Sequence, residues 1–341
     1  MNLTAPPAPK ALDPAKFRDP QRTAKGEARA HVALSALDVL WINTGTLCNI
    51  ACTGCYIESS PRNDRLAFIT AAEVRAFLDE IAAQGLPTRE IGFTGGEPFL
   101  NPEFLEMLDA SLARSFQVLV LTNAMRPMMR HADRLAAMDR AVRPRLTFRV
   151  SLDHYTAEGH EALRGARSWA PAIAGLRWLA REGFGVHVAA RTCWPEDEQG
   201  LRRGFARLFV ELAIPIDAQN PAALVLFPEM DAGLDVPEIT EACWSILGKL
   251  PEDVMCARAR MIVKRKGEDR PAVVACTLLP YDERFELGST LAEAGRQVAL
   301  NHPHCARFCV LGGASCSPGP ALRRTSGDGI LPGVGPSEKG P

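Results

Sequence analysis

Three cysteines fall within eight residues, Cys48-Asn49-Ile50-Ala51-Cys52-Thr53-Gly54-Cys55. They follow an apolar run, Val39-Leu40-Trp41-Ile42-Asn43, that reads as a buried strand. Cysteines this close gather one metal centre rather than staple a large protein. Thiolates are the standard ligands of iron–sulfur clusters, and gaps of three and two residues let one loop wrap a cluster face. A four-iron cluster takes four thiolates, and this loop offers three. One iron is then left open, the general mark of a reactive metal site. The plainer alternatives are a zinc loop short of its fourth ligand, or cysteines that merely pack.

The elements that must position this loop follow a regular rhythm. Thr70-Ala71-Ala72-Glu73 is a capping box that starts a helix. Val74, Phe77, Leu78 and Ile81 give it an apolar stripe, and Gly85 ends it. Further strands are expected at 90–93, 117–121, 145–150 and 186–190, and at either 214–218 or 222–227. Helices are expected at 102–114, 128–139, 170–182 and 195–212. Such alternation implies parallel strands joined by right-handed crossovers, in a doubly wound sheet or an incomplete β/α barrel. The polar and glycine-rich features fall just after the strands: the cysteine loop, Gly95-Gly96-Glu97, Thr122-Asn123, Ser151-Leu152-Asp153 and Arg191. In β/α barrels that end of the strands builds the active site.

The three-plus-two cysteine spacing after a first strand resembles the radical S-adenosylmethionine (SAM) superfamily. The resemblance implies an α/β fold, a partial (β/α)6 barrel over residues 31–235. It implies that Cys48, Cys52 and Cys55 hold a [4Fe–4S] cluster whose open iron chelates the amine and carboxylate of SAM. Reductive cleavage would then give methionine and a 5′-deoxyadenosyl radical, which abstracts hydrogen from a substrate. Gly95-Gly96-Glu97-Pro98 resembles the family's GGEP motif, which binds the SAM amino group. A Ser-x-Asp at the fourth strand end approaches ribose and carboxylate in related enzymes, which points to Ser151 and Asp153. Arg164-Gly165 would supply a cation for the carboxylate, since guanidinium donates two parallel bonds. Thr122, Asn123 and Arg191 complete the expected cofactor-binding set. Many members carry an aromatic residue before the third cysteine; this sequence has Gly54 there, and Tyr56 after it. His154 and His160 lie nearby, and a lone loop histidine is more often incidental than catalytic.

A second cysteine group comprises Cys256, Cys276, Cys305, Cys309 and Cys316. The first two bracket a hairpin expected from strands at 260–264 and 272–275. The group resembles the C-terminal extensions called SPASM or Twitch domains, which hold auxiliary [4Fe–4S] clusters. A full SPASM pattern needs seven cysteines, so one auxiliary cluster fits better than two. Four of the five would suffice, and the sequence leaves open which is spare. His302 and His304 are alternative ligands, and a structural zinc site is the competing reading. A small, cysteine-rich α+β extension is therefore expected over 236–316. Cys193 and Cys243 have no partner at metal spacing and read as small hydrophobes.

The 341 residues carry 39 basic and 40 acidic side chains, net −1, so no basic excess marks a nucleic-acid surface. Residues 1–30 lack the apolar core of a secretory signal and read as a flexible arm. No run approaches a membrane span. Pro, Gly and Ser dominate 317–341, expected as a disordered tail. Ten cysteines without an export signal point to the cytoplasm. The expected partners are an electron donor such as flavodoxin or ferredoxin and a substrate, with peptide or protein modification the class that related extensions suggest. The reading from a different class is a non-catalytic, zinc- or cluster-stabilised binding protein on the same scaffold.

Overall fold

A computed structural model of the chain describes residues 10–229 and 231–312. A short strand, β1 (His31–Val32), precedes the main sheet. The alternating half runs β2 (Val39–Asn43), α1 (Ala71–Ala83), β3 (Glu90–Thr94), α2 (Phe104–Ala113) and β4 (Gln117–Thr122). It continues through two short helices, α3 (Arg126–Met129) and α4 (Ala132–Ala136), then β5 (Leu146–Ser151), α5 (Ala157–Arg164), α6 (Trp169–Arg181), β6 (Gly185–Arg191), α7 (Glu198–Glu211) and β7 (Leu224–Phe227). Beyond lie α8 (Cys243–Leu247), β8 (Ala259–Val263), β9 (Ala272–Val274), β10 (Glu286–Gly288), β11 (Val298–Ala299) and a π-helix over Cys305–Leu311.

Strands β2 to β7 pair in sequence order, all parallel. The sheet does not close; its order is β10-β9-β8-β2-β3-β4-β5-β6-β7. The expected partial barrel is therefore present as an open wall of parallel strands. Helix α1 starts at the capping box: Thr70 Oγ1 accepts from the Glu73 N–H, and the Glu73 carboxylate accepts from the Thr70 N–H. Its stripe of Val74, Phe77, Leu78 and Ile81 is buried. Inside the wall, Trp41 packs so tightly on Gly92 that a Cβ there would lie 2.5 Å from its ring. The alternation thus buries one face of each helix and leaves the carboxyl ends of the strands to loops.

The structure decides some sequence expectations and corrects others. The sixth strand is the 224–227 segment, not 214–218. The helix expected over 128–139 is two short ones, because the chain turns where the His131 N–H bonds the Met128 carbonyl. The β8–β9 hairpin exists, but β8 also lies parallel to β2, with Val39 opposite Ala259 and Ile42 opposite Ile262. All five β8 residues are buried, as expected of a strand covered on both faces. The C-terminal extension is thus a continuation of the barrel's own sheet.

The arm expected to be flexible is docked over residues 10–30. Phe17 is buried, Lys16 pairs with Asp235 at 2.7 Å, and Arg29 pairs with Glu238 at 2.6 Å. β1 then pairs with β11, tying this segment to the extension. The expected tail, 317–341, and Cys316 lie outside the described residues. No described helix is long and apolar enough to cross a membrane.

Candidate active site and a second cysteine site

The loops after β2 to β6 surround a cavity of about 190 Å³. Cys48, Cys52 and Cys55 all line it. So do Gly95, Gly96, Thr122, Asn123, Ser151, Asp153, Arg164 and Arg191. Eleven of the twelve residues expected at the cluster and SAM site are thereby brought together from five strand ends.

The exception is Glu97. Its carboxylate points behind the cavity, 1% exposed, and accepts from Thr122 Oγ1 at 2.8 Å and the Asn123 N–H at 2.9 Å. It also caps the following turn at the Phe99 N–H, 3.4 Å away. Glu97 therefore fastens the β3 end to the β4 end instead of lining the site. Burial pushes its carboxyl up to about 7, against the pull of these three donors.

The backbone between these ends is close-packed. A Cβ on Gly96 would lie 2.1 Å from the Leu47 carbonyl, and one on Gly95, at φ +149°, would lie 2.5 Å from the Gly45 carbonyl. Only glycine lets this loop lie against the cysteine loop. Asn123 bridges the same interface, its amide 2.9 Å from Asn49 Oδ1 and 3.9 Å from Cys48 Sγ.

On the opposite side, Arg164 ends α5 and donates to both carboxylate oxygens of Asp153, at 2.7 and 3.3 Å. Burial opposes its charge, but Asp153 and the Cys52 and Cys55 sulfurs hold its pKa above the ordinary value. Arg191 donates to the Thr53 carbonyl at 3.0 Å, and its guanidinium covers Gly54, 3.0 Å from where a Cβ would stand. The space an aromatic residue at 54 would need is thus taken by an arginine from β6. His154 and His160 do not line the cavity. His154 is held by Thr156 and Glu196, and the buried His160 stays neutral, pushed down to about 4 by burial.

A smaller cavity, about 20 Å³, lies in the extension. Cys256, Cys276, Cys305 and Cys309 line it, with Met255, Leu278, Leu279, Phe285, Val298, Leu300 and His304. His302, the other candidate ligand, does not. The two cavities are neighbours. Leu278 lines both, and Phe308, between Cys305 and Cys309 on the π-helix, lines the first and stacks on Phe227 at 5.7 Å.

Both donor sets suit a cluster. Burial pushes Cys48 and Cys305 up to about 12 and Cys256 to about 11, so these sulfurs become thiolates only when a metal supplies the compensating charge. Among the described residues, no three His, Cys, Asp or Glu side chains converge closely enough to share one metal ion. A four-iron cluster instead offers each sulfur its own iron, and each set of cysteines lines one cavity. The nine described cysteines are free thiols.

Residues the sequence reading missed include Arg149, Leu278 and Phe308, all lining the first cavity. Arg149 was within reach, since it shares a strand face with Ser151 two residues on. Phe308 and Leu278 gave no signal, because their segments return from the far end of the chain.

A parallel β/α wall whose strand ends present three cysteines beside a double-glycine turn points to a class, and residues 42–201 match the Radical SAM superfamily. That family uses a [4Fe–4S] cluster and SAM. Among curated proteins, the chain is 35% identical over 137 residues to mycofactocin maturase MftC of Mycobacterium ulcerans, covering 40% of this chain and 35% of that protein. It is 32% identical over 143 residues to the antilisterial bacteriocin subtilosin biosynthesis protein AlbA of Bacillus subtilis, covering 42% and 30%. The chain thus matches about a third of the length of these relatives. Among solved structures, Streptococcus suis SuiB bound to S-adenosylmethionine shares the fold, with TM-score 0.54 at 14% identity over 74% of this chain and 63% of that one.

Proposed function

We propose that this protein is a radical SAM enzyme that modifies a peptide or protein substrate. The observation that carries the reading is the convergence of Cys48, Cys52 and Cys55 with Gly95, Gly96, Ser151 and Arg164 on one cavity. When bound, the cluster and SAM supply an electron and a 5′-deoxyadenosyl radical that takes hydrogen from the substrate. The protein's own work is to bind and orient. Cys48, Cys52 and Cys55 would hold the cluster, with fewer sulfurs than a four-iron cluster has irons. The carbonyls of the Gly95-Gly96 turn would accept from the SAM ammonium, and the lack of Cβ atoms lets that turn lie against the cysteine loop. Arg164, kept charged by Asp153, receives the SAM carboxylate, with Ser151 beside it. Thr122, Asn123 and Arg191 close the walls, and Glu97 holds Thr122 and Asn123 in place.

Cys256, Cys276, Cys305 and Cys309 would hold one auxiliary cluster with every iron coordinated, in an extension running from about residue 236. Two relatives are named for mycofactocin maturation and for biosynthesis of a bacteriocin, which supports a peptide substrate. A small acidic redox protein of the flavodoxin or ferredoxin type is the proposed electron donor. The cytoplasm, where thiols stay reduced, is the proposed location.

Anaerobic reconstitution tests the reading. Two clusters predict about eight irons per chain, and a strong reductant should then yield 5′-deoxyadenosine from SAM. About four irons, or zinc in the extension, would remove the auxiliary cluster. Iron-loaded protein that neither binds nor cleaves SAM would overturn the function.

A further inference from the structure

The six residues from Cys276 to Tyr281 run from one cysteine site to the other. Cys276 lines the second cavity, and the Leu278 N–H donates to its sulfur at 3.2 Å. Leu278 lines both cavities. At the far end, the Tyr281 hydroxyl donates to the Ile57 carbonyl at 2.8 Å, two residues after Cys55. The Asn63 amide donates to that hydroxyl at 3.2 Å and to the Ile57 and Glu58 carbonyls at 3.3 and 2.9 Å. The Arg65 guanidinium lies 3.6 Å over the Tyr281 ring. The loop so gripped is the turn in which the Glu58 N–H bonds the Cys55 carbonyl and the Cys55 N–H bonds that of Cys52.

We propose that residues 276–281 form a strap coupling the two cysteine sites, and that Tyr281 is the positioning residue through which filling the second site orders the loop bearing Cys55. The inference rests on the reading that both sites bind clusters. Its physical basis is short range and few joints. A metal that fixes Cys276 fixes one end of a six-residue segment, so less freedom remains to be lost when the other end grips Ile57. Coupling of this kind is reciprocal: an ordered first loop should also favour filling of the second site.

The test uses the full-length Cys52→Ala protein, in which the first site lacks a ligand and the second can still fill. Adding iron and sulfide anaerobically should slow amide exchange over residues 57–63 several-fold. Tyr281→Phe, which keeps the ring under Arg65 and removes the hydroxyl, should abolish that slowing while the second cluster's electron paramagnetic resonance signal stays. Unchanged slowing in Tyr281→Phe overturns the proposal. Should that variant fold poorly, Cys52→Ala/Cys276→Ala cuts the strap at its other end, and slowing that persists there also overturns it. No iron uptake by Cys52→Ala protein would overturn both the strap and the second-site assignment. None of these measurements needs SAM, so a failure of SAM binding or cleavage, read on the wild-type protein, remains distinguishable.

Discussion

The two cysteine sites share ligands and differ in almost everything around them. The first is a mouth built from five strand ends, with three sulfurs, three arginines, Asp153, Ser151 and a cavity of about 190 Å³. The second is a plug, with four sulfurs in a 20 Å³ space among Leu, Val, Met and Phe side chains, and no carboxylate in its lining. With a four-iron cluster bound as proposed, a three-sulfur set within a polar mouth would leave a coordination position and room for a ligand. A four-sulfur set in an apolar plug leaves neither. The difference teaches that sulfur number alone does not separate a reactive site from a closed one; the wall decides with it. Behind the plug, Arg260 is buried and donates to the Cys256, Ala259 and Ala294 carbonyls. Burial drags its pKa down to about 10.

Removing a ligand from the mouth tests the contrast most severely. Cys52→Ala should abolish 5′-deoxyadenosine formation and lower the iron content from about eight to about four per chain. Retained SAM cleavage would show that the mouth is not the reactive site. The matched change in the plug, Cys256→Ala, should also remove about four irons. SAM binding at the mouth should survive, weakened through the strap, and calorimetry with SAM reads that difference. Equal and complete loss of SAM binding in both variants would erase the distinction between the sites.

Much of this contrast was legible in the chain, for reasons that differ by element. The strand–helix rhythm was readable because β2 to β7 pair in sequence order, so each local pattern is also a spatial neighbour. The mouth's residues were readable because all but Arg164, which ends α5, stand at a strand's last residue or in the loop that follows it. The pairing of β8 with β2 was not, because parallel pairing across more than two hundred residues leaves no mark in either segment. Glu97 shows a finer limit. Its type and place were visible, but the turn in extended backbone at Glu97 swings the carboxylate back toward Thr122, and only coordinates reveal that. Gly54 is similar: the missing aromatic was evident, while the arginine lying over it comes from a strand more than a hundred residues away.

Breaking one polar contact in the mouth should cost less than losing a ligand. Asp153 and Arg164 have side chains 4% and 15% exposed, so Asp153→Asn leaves a buried guanidinium without its counter-charge. The cost should approach the roughly 3–5 kcal/mol typical of half-broken buried pairs. Urea denaturation of the metal-free protein measures it, and a loss below about 1 kcal/mol would mean that Arg164 finds another partner.

The mouth also has a titratable group behind it, and the smallest prediction concerns its proton. Glu97 has a carboxyl raised from 4.5 to about 7 by burial. Across that interval the folded chain keeps a proton that the unfolded chain has released. Its contribution to stability is therefore complete below pH 4.5 and declines as pH rises toward 7, by at most roughly 3 kcal/mol. Glu97→Gln cannot ionise, so relative to it the metal-free wild-type protein should lose stability between pH 5 and 7.5 in urea titrations. The variant's amide cannot accept from Thr122, Asn123 and Phe99 with both ends, so some loss common to all pH values accompanies the change. The pH-dependent part is the diagnostic one. A wild-type-minus-variant difference that stays flat, or grows with pH, would mean that the three donors around Glu97 outweigh its burial and keep it ionised.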